Sequence, residues 1–303
     1  MTAGAGAGNR PLRRHSPLQL AGLGLVSLAV VVASLIAMPG SAQSAESPGP
    51  SVRAAKYCTG GTAAKRAKVN AAFARAVAQD RRKSTLRIAL HDGASGITCG
   101  HNANSQIYTR SAIKVALSGA VLRMRERQKR KVSAREYALM NAAITKSVNS
   151  AGQALYNRLG HDGPLRSFFE SLGVRGIKYS GNGLWGNTRL SPNNWLGLLQ
   201  GLTDGTNRGL SVRHKNYLID RMRHVVNKQR WGVGIGVGRG EVVALKGGWG
   251  PSSKQPGYIV NSLGVVRQRR GQYELAILTN RNKSEGSGKN RLNAVARIIN
   301  RAL

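Results

Sequence analysis

One apolar stretch in the first half of the chain constrains the fold most. Residues 112–122 are almost all apolar, which predicts a helix that is hydrophobic nearly all round and therefore lies inside the protein. Ser111 and Lys114 nevertheless share one face of this helix, because they are three residues apart. Burial lowers the pKa of a lysine, so Lys114 could act as a base beside a nucleophilic Ser111 at the helix N-terminus. The alternative for this pair alone is a capping serine with a lysine that reaches out to solvent.

The first 45 residues have the features of an export signal. Three arginines precede an apolar run at residues 18–38, and small residues follow it. The run is also long enough to span a bilayer, so an uncleaved signal anchor is the alternative to a cleaved signal peptide. We expect residues 46–62 to be a flexible lead-in and residues 63–303 to form a secreted, cell-wall-associated domain.

The two cysteines, Cys58 and Cys99, both lie in the exported part. An even number of cysteines in an oxidising compartment allows a disulfide, which would tie the N-terminal segment to the second strand of a hairpin. Two unpaired thiols are the alternative.

The charge of the chain is extreme. Lys and Arg number 47 against 12 Asp and Glu, which gives a formal net charge of +35. Such a field predicts attraction to anionic polymers, for example cell-wall polymers, although a compositional bias without a partner would give the same count. Aromatic residues are few and no nucleic-acid-binding motif is present, so we expect no specific nucleic acid partner. The histidines and cysteines lack metal-site spacing, and nothing implies a metal or an organic cofactor. We expect a monomer.

The order of predicted elements indicates an α+β fold with one antiparallel sheet built from both chain ends and a helical block inserted between them. Hydrophobic periodicity and capping signals predict helices at residues 63–79, 133–144, 150–160, 164–173, 191–202, 211–226 and 290–303. Alternation predicts strands at residues 86–90, 97–99, 231–237, 242–245, 258–266 and 273–279. Residues 174–189 are rich in Gly and Asn and predict a long ordered loop.

Two further polar clusters fall where a cleft would need them. Ser147-Val148-Asn149 occupies the short connection between two predicted helices. Lys246-Gly247-Gly248-Trp249 ends a predicted strand, where the glycines would let a substrate lie against the strand edge. The only Ser-x-x-Lys of the chain is the one that begins at Ser111.

The order Ser-x-x-Lys, Ser-x-Asn, Lys-x-Gly resembles the serine β-lactamases and the penicillin-binding D-alanyl-D-alanine peptidases, with the class A β-lactamase-like branch as the closest match. The resemblance runs over essentially all of the exported chain. It implies a β-lactamase/transpeptidase-like fold, in which an antiparallel sheet is flanked by the N- and C-terminal helices and carries an inserted, shortened all-helical subdomain.

The resemblance also implies roles for the site residues. Ser111 would attack a carbonyl to form an acyl-enzyme, and Lys114 would accept its proton. Ser147 would relay a proton to the leaving nitrogen, and Lys246 would attract the substrate carboxylate. The substrate-binding residues would be Asn149, Gly247, Gly248 and Trp249, and the backbone N–H groups of Ser111 and Trp249 would form the oxyanion hole.

Three departures from the family pattern bear on activity. Val148 replaces an Asp that many relatives carry, and Gly247 replaces a Thr or Ser that contacts the substrate carboxylate. The loop at residues 174–189 contains no Asp or Glu, whereas class A β-lactamases keep a glutamate there to activate the deacylating water. We therefore expect slow deacylation of an acyl-enzyme formed from a β-lactam or a D-Ala-D-Ala-type cell-wall peptide. The alternative is a non-catalytic, cationic wall-binding module that retains the fold.

Overall fold

The computed structural model describes residues 56–181, 183–252 and 256–303. The expected export signal and residues 46–55 of the expected lead-in lie outside the described residues. The described part contains eight strands, β1 (Cys58–Thr59), β2 (Leu86–Asp92), β3 (Ile97–His101), β4 (Ile107–Tyr108), β5 (Arg189–Leu190), β6 (Val242–Pro251), β7 (Tyr258–Gln268) and β8 (Gly271–Asn282). Its α-helices are α1 (Ala63–Gln79), α2 (Lys114–Arg127), α3 (Ala134–Thr145), α4 (Asn149–Leu159), α5 (Asp162–Ser171), α6 (Pro192–Thr203), α7 (Val212–Arg223) and α8 (Glu285–Asn300).

Both ends of the described chain contribute to one six-stranded antiparallel sheet, in the order β1-β3-β2-β8-β7-β6. The terminal helices α1 and α8 pack on one face of this sheet, and the block from α2 to α7 packs on the other. Strands β4 and β5 form a separate pair that ties the segment before α2 to the loop before α6. This arrangement confirms the predicted α+β fold, with a helical block inserted between the two parts of an antiparallel sheet.

Helix α2 runs through the interior, as its composition predicts. Every residue from Lys114 to Leu122 is buried. The α-helix begins at Lys114 and follows a 3₁₀ turn, Arg110–Ile113. Ser111 therefore lies in a tight turn that leads into the helix.

Residues 231–237 do not form the predicted strand. Their alternating glycines imitate the two-residue period of a strand, but the backbone turns at Gly232 (φ 74°) and Gly236 (φ 83°). Gly232 also allows a close approach to β7, because a Cβ atom there would lie 2.3 Å from Cβ of Ser262. The strand prediction was wrong because glycine spacing was counted as side-chain alternation.

Several helix ends also differ from the prediction. Helix α3 begins as predicted, directly after Ser133, which forms a capping box with Glu136. Helix α4 begins at Asn149, before Ser150, and its N-cap residue Val148 makes no side-chain cap. Helix α8 begins at Glu285, five residues before the predicted start, because Ser284 caps it.

The N-terminal segment is anchored to the sheet. Cys58 and Cys99 form a disulfide across the β1–β3 pair, which confirms the predicted bond. The side chain of Asn70 in α1 accepts hydrogen bonds from the backbone N–H groups of Tyr57 and Cys58. The part of the expected flexible lead-in that the structure describes, residues 56–62, therefore contains a strand instead. No α-helix in the described ranges combines the length and apolarity that a membrane span requires.

Candidate active site

Four side chains from three separate motifs meet beside the start of α2. Nζ of Lys114 lies 3.0 Å from Oγ of Ser111 and 3.4 Å from Oγ of Ser147. Nζ of Lys246 lies 3.0 Å from the same Oγ of Ser147. The three motifs are far apart in sequence, and the structure brings their polar atoms into one hydrogen-bonded group.

Lys114 has an unusual environment for a lysine. Its side chain is fully buried, and burial lowers its pKa to about 8. Nζ also lies 2.7 Å from the backbone carbonyl oxygen of Ser147 and 2.8 Å from Oδ1 of Asn149. In the described part of the chain, no carboxylate lies within ion-pair distance of this amine. A neutral Lys114 would satisfy both carbonyl acceptors with its two N–H groups and keep its lone pair for the hydroxyl of Ser111.

Ser147 is held in a strained turn between α3 and α4. Its φ of 60° is a left-handed conformation that few non-glycine residues adopt. Gln229 fixes this turn from outside, since its Nε2 donates to the carbonyl of Lys146. The strain is located at the residue whose hydroxyl lies between the two lysine amines, as is common at functional sites.

Lys246 is the second buried amine of the group. It points from β6 into the interior, where Nζ donates to the carbonyl oxygen of Gly247 at 2.8 Å as well as to Ser147. Burial and the nearby charge of Lys114 lower the pKa of Lys246 well below its usual value. Two buried amines beside one hydroxyl favour neutral or shared-proton states over two full charges.

The glycines after Lys246 make room for other parts of the protein. A Cβ atom on Gly248 would lie 2.4 Å from the carbonyl oxygen of Thr109 and 2.6 Å from the amide nitrogen of Ala112. A Cβ atom on Gly247 would lie 2.6 Å from the Trp231 ring. Gly248 therefore allows the turn that carries Ser111 to lie directly against β6.

A cleft of about 760 Å³ opens beside Ser111. Among the residues predicted to bind substrate, Asn149 and Trp249 line it, whereas Gly247 and Gly248 are packed against protein atoms. The other lining residues are Arg110, Ser150, Gln153, Leu184, Trp185, Gly186, Asn187, Gly250, Pro251 and Ser252. None of these lining residues, all in the described part of the chain, is acidic.

Sequence reasoning missed two cleft residues that flank the nucleophile, Arg110 and Trp185. Arg110 has a positive φ of 51°, donates to Oδ1 of Asn187 at 2.9 Å and also bonds the carbonyl of Pro251. It thereby links the loop to the end of β6. The indole of Trp185 lies over the amine of Lys114, 5.1 Å from Nζ to the ring centre. Neither residue belongs to a periodic pattern, and the only available signal was their place beside Ser111 and in the acid-free loop.

A third missed residue, Asn261, supports the turn from below. It is buried in β7, and its Nδ2 donates to the carbonyl oxygens of Tyr108 at 2.9 Å and Thr109 at 3.3 Å. A single asparagine in a strand gives no sequence signal of such a role. It acts by holding the backbone that precedes Ser111.

Comparison with known proteins points to one family. The sequence model of the beta-lactamase enzyme family matches residues 124–303, a range that includes Ser147 and Lys246 and begins after Lys114. No curated protein matches the chain.

Solved structures share the fold at low sequence identity. A variant of PBP-A in an acyl-enzyme complex with penicillin G is 20% identical, with a TM-score of 0.63 over 77% of this chain and 96% of that one. The TLA-1 extended-spectrum β-lactamase is 15% identical, with a TM-score of 0.66 over 77% and 98% of the two chains. A β-lactamase from Desulfarculus baarsii is 22% identical, with a TM-score of 0.63 over 76% and 96%.

Proposed function

The chain belongs to the beta-lactamase enzyme family, and from that premise we propose that Ser111 forms an acyl-enzyme with a β-lactam or a D-Ala-D-Ala-type cell-wall peptide, which is then hydrolysed slowly. The observation that carries this proposal is the 3.0 Å contact between Nζ of Lys114 and Oγ of Ser111. A buried amine with a pKa of about 8 exists partly as the free base at neutral pH.

Acylation follows from this geometry. Lys114 takes the hydroxyl proton as Oγ of Ser111 adds to the substrate carbonyl. The resulting oxyanion is stabilised by the backbone N–H groups of Ser111 and Trp249, both of which line the cleft. The C–N bond of the substrate then breaks, and the leaving nitrogen needs a proton.

Ser147 is the residue suited to deliver that proton. Its hydroxyl lies within 3.4 Å of Lys114 and 3.0 Å of Lys246, so a proton held by Lys114 can pass through Oγ of Ser147 to the nitrogen. Lys246 favours an anionic group on the substrate through its residual positive charge. Asn149 holds Lys114 through its side-chain oxygen and lines the cleft, so its amide N–H groups can donate to the substrate.

Slow deacylation is proposed because the loop lacks a base. No acidic residue lines the described cleft, and residues 174–189 contain none. A water molecule that attacks the ester must then rely on Lys114 alone. A variant of PBP-A, which shares the fold, has been solved as an acyl-enzyme complex with penicillin G.

We also propose that the protein is exported and acts at the cell wall. The support is the apolar segment at residues 18–38, the disulfide, which is typical of oxidising compartments, and the net charge of +35. The same charge favours a second candidate function, a non-catalytic module that binds anionic wall polymers. The two candidates differ in whether Ser111 reacts.

Labelling with a fluorescent penicillin separates the two. We expect the purified protein to become labelled at Ser111, identified by mass spectrometry of the labelled peptide, and Ser111→Ala to remain unlabelled. Ser105 is an exposed serine in the same segment. Ser105→Ala is therefore the matched control and should label like the unaltered protein. Absence of label with penicillins and with activated acyl esters would favour the binding module. Nitrocefin turnover near the enzyme median of about 10 s⁻¹ would contradict slow deacylation.

A further inference from the structure

Trp185 covers the amine of Lys114 from the side of the loop. The hydrogen-bond partners of Nζ come from Ser111, Ser147 and Asn149, on the helical side of the site. The Trp185 ring lies over the same nitrogen, with its centre 5.1 Å away. The ring therefore flanks the amine on the side of the loop, and Lys114 is fully buried.

The indole is fixed in that position from two directions. Nε1 of Trp185 donates to Oε1 of Gln153 at 3.0 Å, and the Gln153 amide in turn donates to Oδ1 of Asn157 at 2.8 Å. Gly152 provides the space, since a Cβ atom there would lie 2.9 Å from Cε of Lys114 and 3.2 Å from Cζ2 of Trp185. Helix α4 is therefore shaped to hold the lysine stem and the indole against each other.

The backbone that carries Trp185 is attached to the turn that carries Ser111. Thr109 donates its N–H to the carbonyl of Thr188 at 2.9 Å, and Arg110 donates to Oδ1 of Asn187 at 2.9 Å. Gly186 packs closely on this turn, with its Cβ position 3.6 Å from Cα of Arg110. The loop and the turn of the nucleophile are therefore joined directly beside the ring.

We propose that Trp185 is a positioning residue that excludes water from the loop side of Lys114 and Ser111 and thereby prolongs the life of the acyl-enzyme. An ordinary hydrolysis step needs a water oxygen to add to the ester carbonyl and to give one proton to a base. The bond between the carbonyl carbon and Oγ then breaks, Oγ takes up a proton, and a carboxylic acid leaves. The indole occupies the space from which Lys114 could accept the proton of that water.

A first experiment measures the shielding without any substrate. The full chain and its variants are treated briefly with acetic anhydride, and acetylation of each lysine is followed by peptide mass spectrometry. We expect Trp185→Ala to raise the acetylation rate of Lys114 at least about tenfold, because the amine becomes accessible to solvent. Lys246, which is equally buried and whose amine donates to Ser147 and Gly247, is the internal reference and should not change. Trp185→Phe keeps a ring over the amine and should resemble the unaltered protein. Equal reactivity of Lys114 in all three proteins would overturn the proposal.

A second experiment measures the acyl-enzyme and rests on the proposed function. After labelling with fluorescent penicillin and removal of free reagent, the label should decay at least about tenfold faster in Trp185→Ala, while its rate of formation changes less than about threefold. A merely structural defect would slow both steps, and Trp185→Phe should restore the slow decay. Unchanged decay in Trp185→Ala would overturn the role in deacylation. Failure of the unaltered protein to label would refute the proposed function, and the acetylation result would then still decide whether Trp185 shields Lys114.

Discussion

The two segments that meet at Lys114 are built in different ways. The turn before α2 is held by a buried side chain and by close packing. Asn261 donates hydrogen bonds to the carbonyl oxygens of the turn, and Gly248 lets β6 lie in van der Waals contact with it. The loop at residues 174–189 has no acidic residue. It contributes an indole ring and two attachments to the turn, one backbone hydrogen bond from Thr109 and one side-chain hydrogen bond from Arg110. The turn before α2 carries the reactive groups, and the loop places an indole ring over the amine of Lys114.

This contrast separates the two halves of an acyl-transfer cycle. Acylation needs Ser111, a base and a proton relay, and all three lie on the side of the site formed by buried motifs. Deacylation needs a water molecule beside the same base, and the loop fills that side with Trp185. Substitutions in the two segments should therefore differ in how strongly they slow acylation.

Among substitutions that keep Ser111, the largest effect on acylation should come from Lys114→Met. Removal of the base beside Ser111 should lower the rate of penicillin labelling about 10³-fold, within the usual contribution of a general base. Lys178 is an exposed lysine of the loop. Lys178→Met is therefore the matched control and should label at the rate of the unaltered protein. If Lys114→Met labels within about tenfold of the unaltered protein, the base lies elsewhere and the comparison fails.

A second, smaller effect should come from Gly248→Ala. The new methyl group would overlap the carbonyl oxygen of Thr109 and push the Ser111 turn away from β6. We expect a loss of about 1–3 kcal/mol in the free energy of unfolding and labelling about 10²-fold slower.

Gly163→Ala in α5 provides the control, because no atom lies within 4 Å of its Cβ position. It should stabilise the protein by about 0.5 kcal/mol in urea unfolding, with labelling unchanged. Equal stability of the two variants would mean that Gly248 is not what allows the close approach.

The smallest of the three effects is the pH dependence of acylation. Because Lys114 must be neutral to accept a proton and its pKa is about 8, the labelling rate should rise with pH and level off above that value. At pH 7 the rate should be about one tenth of the plateau. Trp185→Ala should move the midpoint upward, since water near the amine favours its charged form. A flat profile between about pH 6 and about pH 9 would contradict the assignment of Lys114 as the base.

The same pKa has a consequence for stability with a definite sign. An unfolded Lys114 titrates at 10.5 and a folded one at about 8, so the unfolded chain binds more protons between these values. The contribution of Lys114 therefore makes the free energy of unfolding rise with pH across that range and disfavours folding below it. Lys114→Met should remove this slope in urea unfolding measured across the same pH range.

The parts of the molecule that the sequence predicted well are those with a repeating pattern or a motif. The polar groups of Ser111, Ser147 and Lys246, which were chosen by family resemblance, lie in one hydrogen-bonded group, and their catalytic roles stay predictions. Helix α1 begins and ends where its apolar spacing indicated, and the disulfide and the α+β fold class agree with the prediction. Each of these rests on local chemistry that leaves a trace in the residue order.

The parts that failed depend on contacts between distant segments. The glycines at 231–237 have the spacing of a strand, yet Gly232 is needed for a turn beside Ser262. Trp185 gave no signal, because a loop has no period and its partner Lys114 is 71 residues earlier. The predicted helix start at residue 150 was one residue late, because α4 begins at Asn149, directly after the turn at Ser147 and Val148.

Strand β6 is the last strand of the sheet, so one side of its backbone has no strand partner among the described residues. An unpaired strand edge can also form backbone hydrogen bonds with the edge of a second copy, which leads to aggregation. Trp249, near the end of this strand, lines the cleft. With a net charge of +35, copies repel each other over about 10 Å at 0.1 M salt. The positive charge therefore opposes pairing between the unpaired edges of two copies, and this repulsion weakens as salt is added.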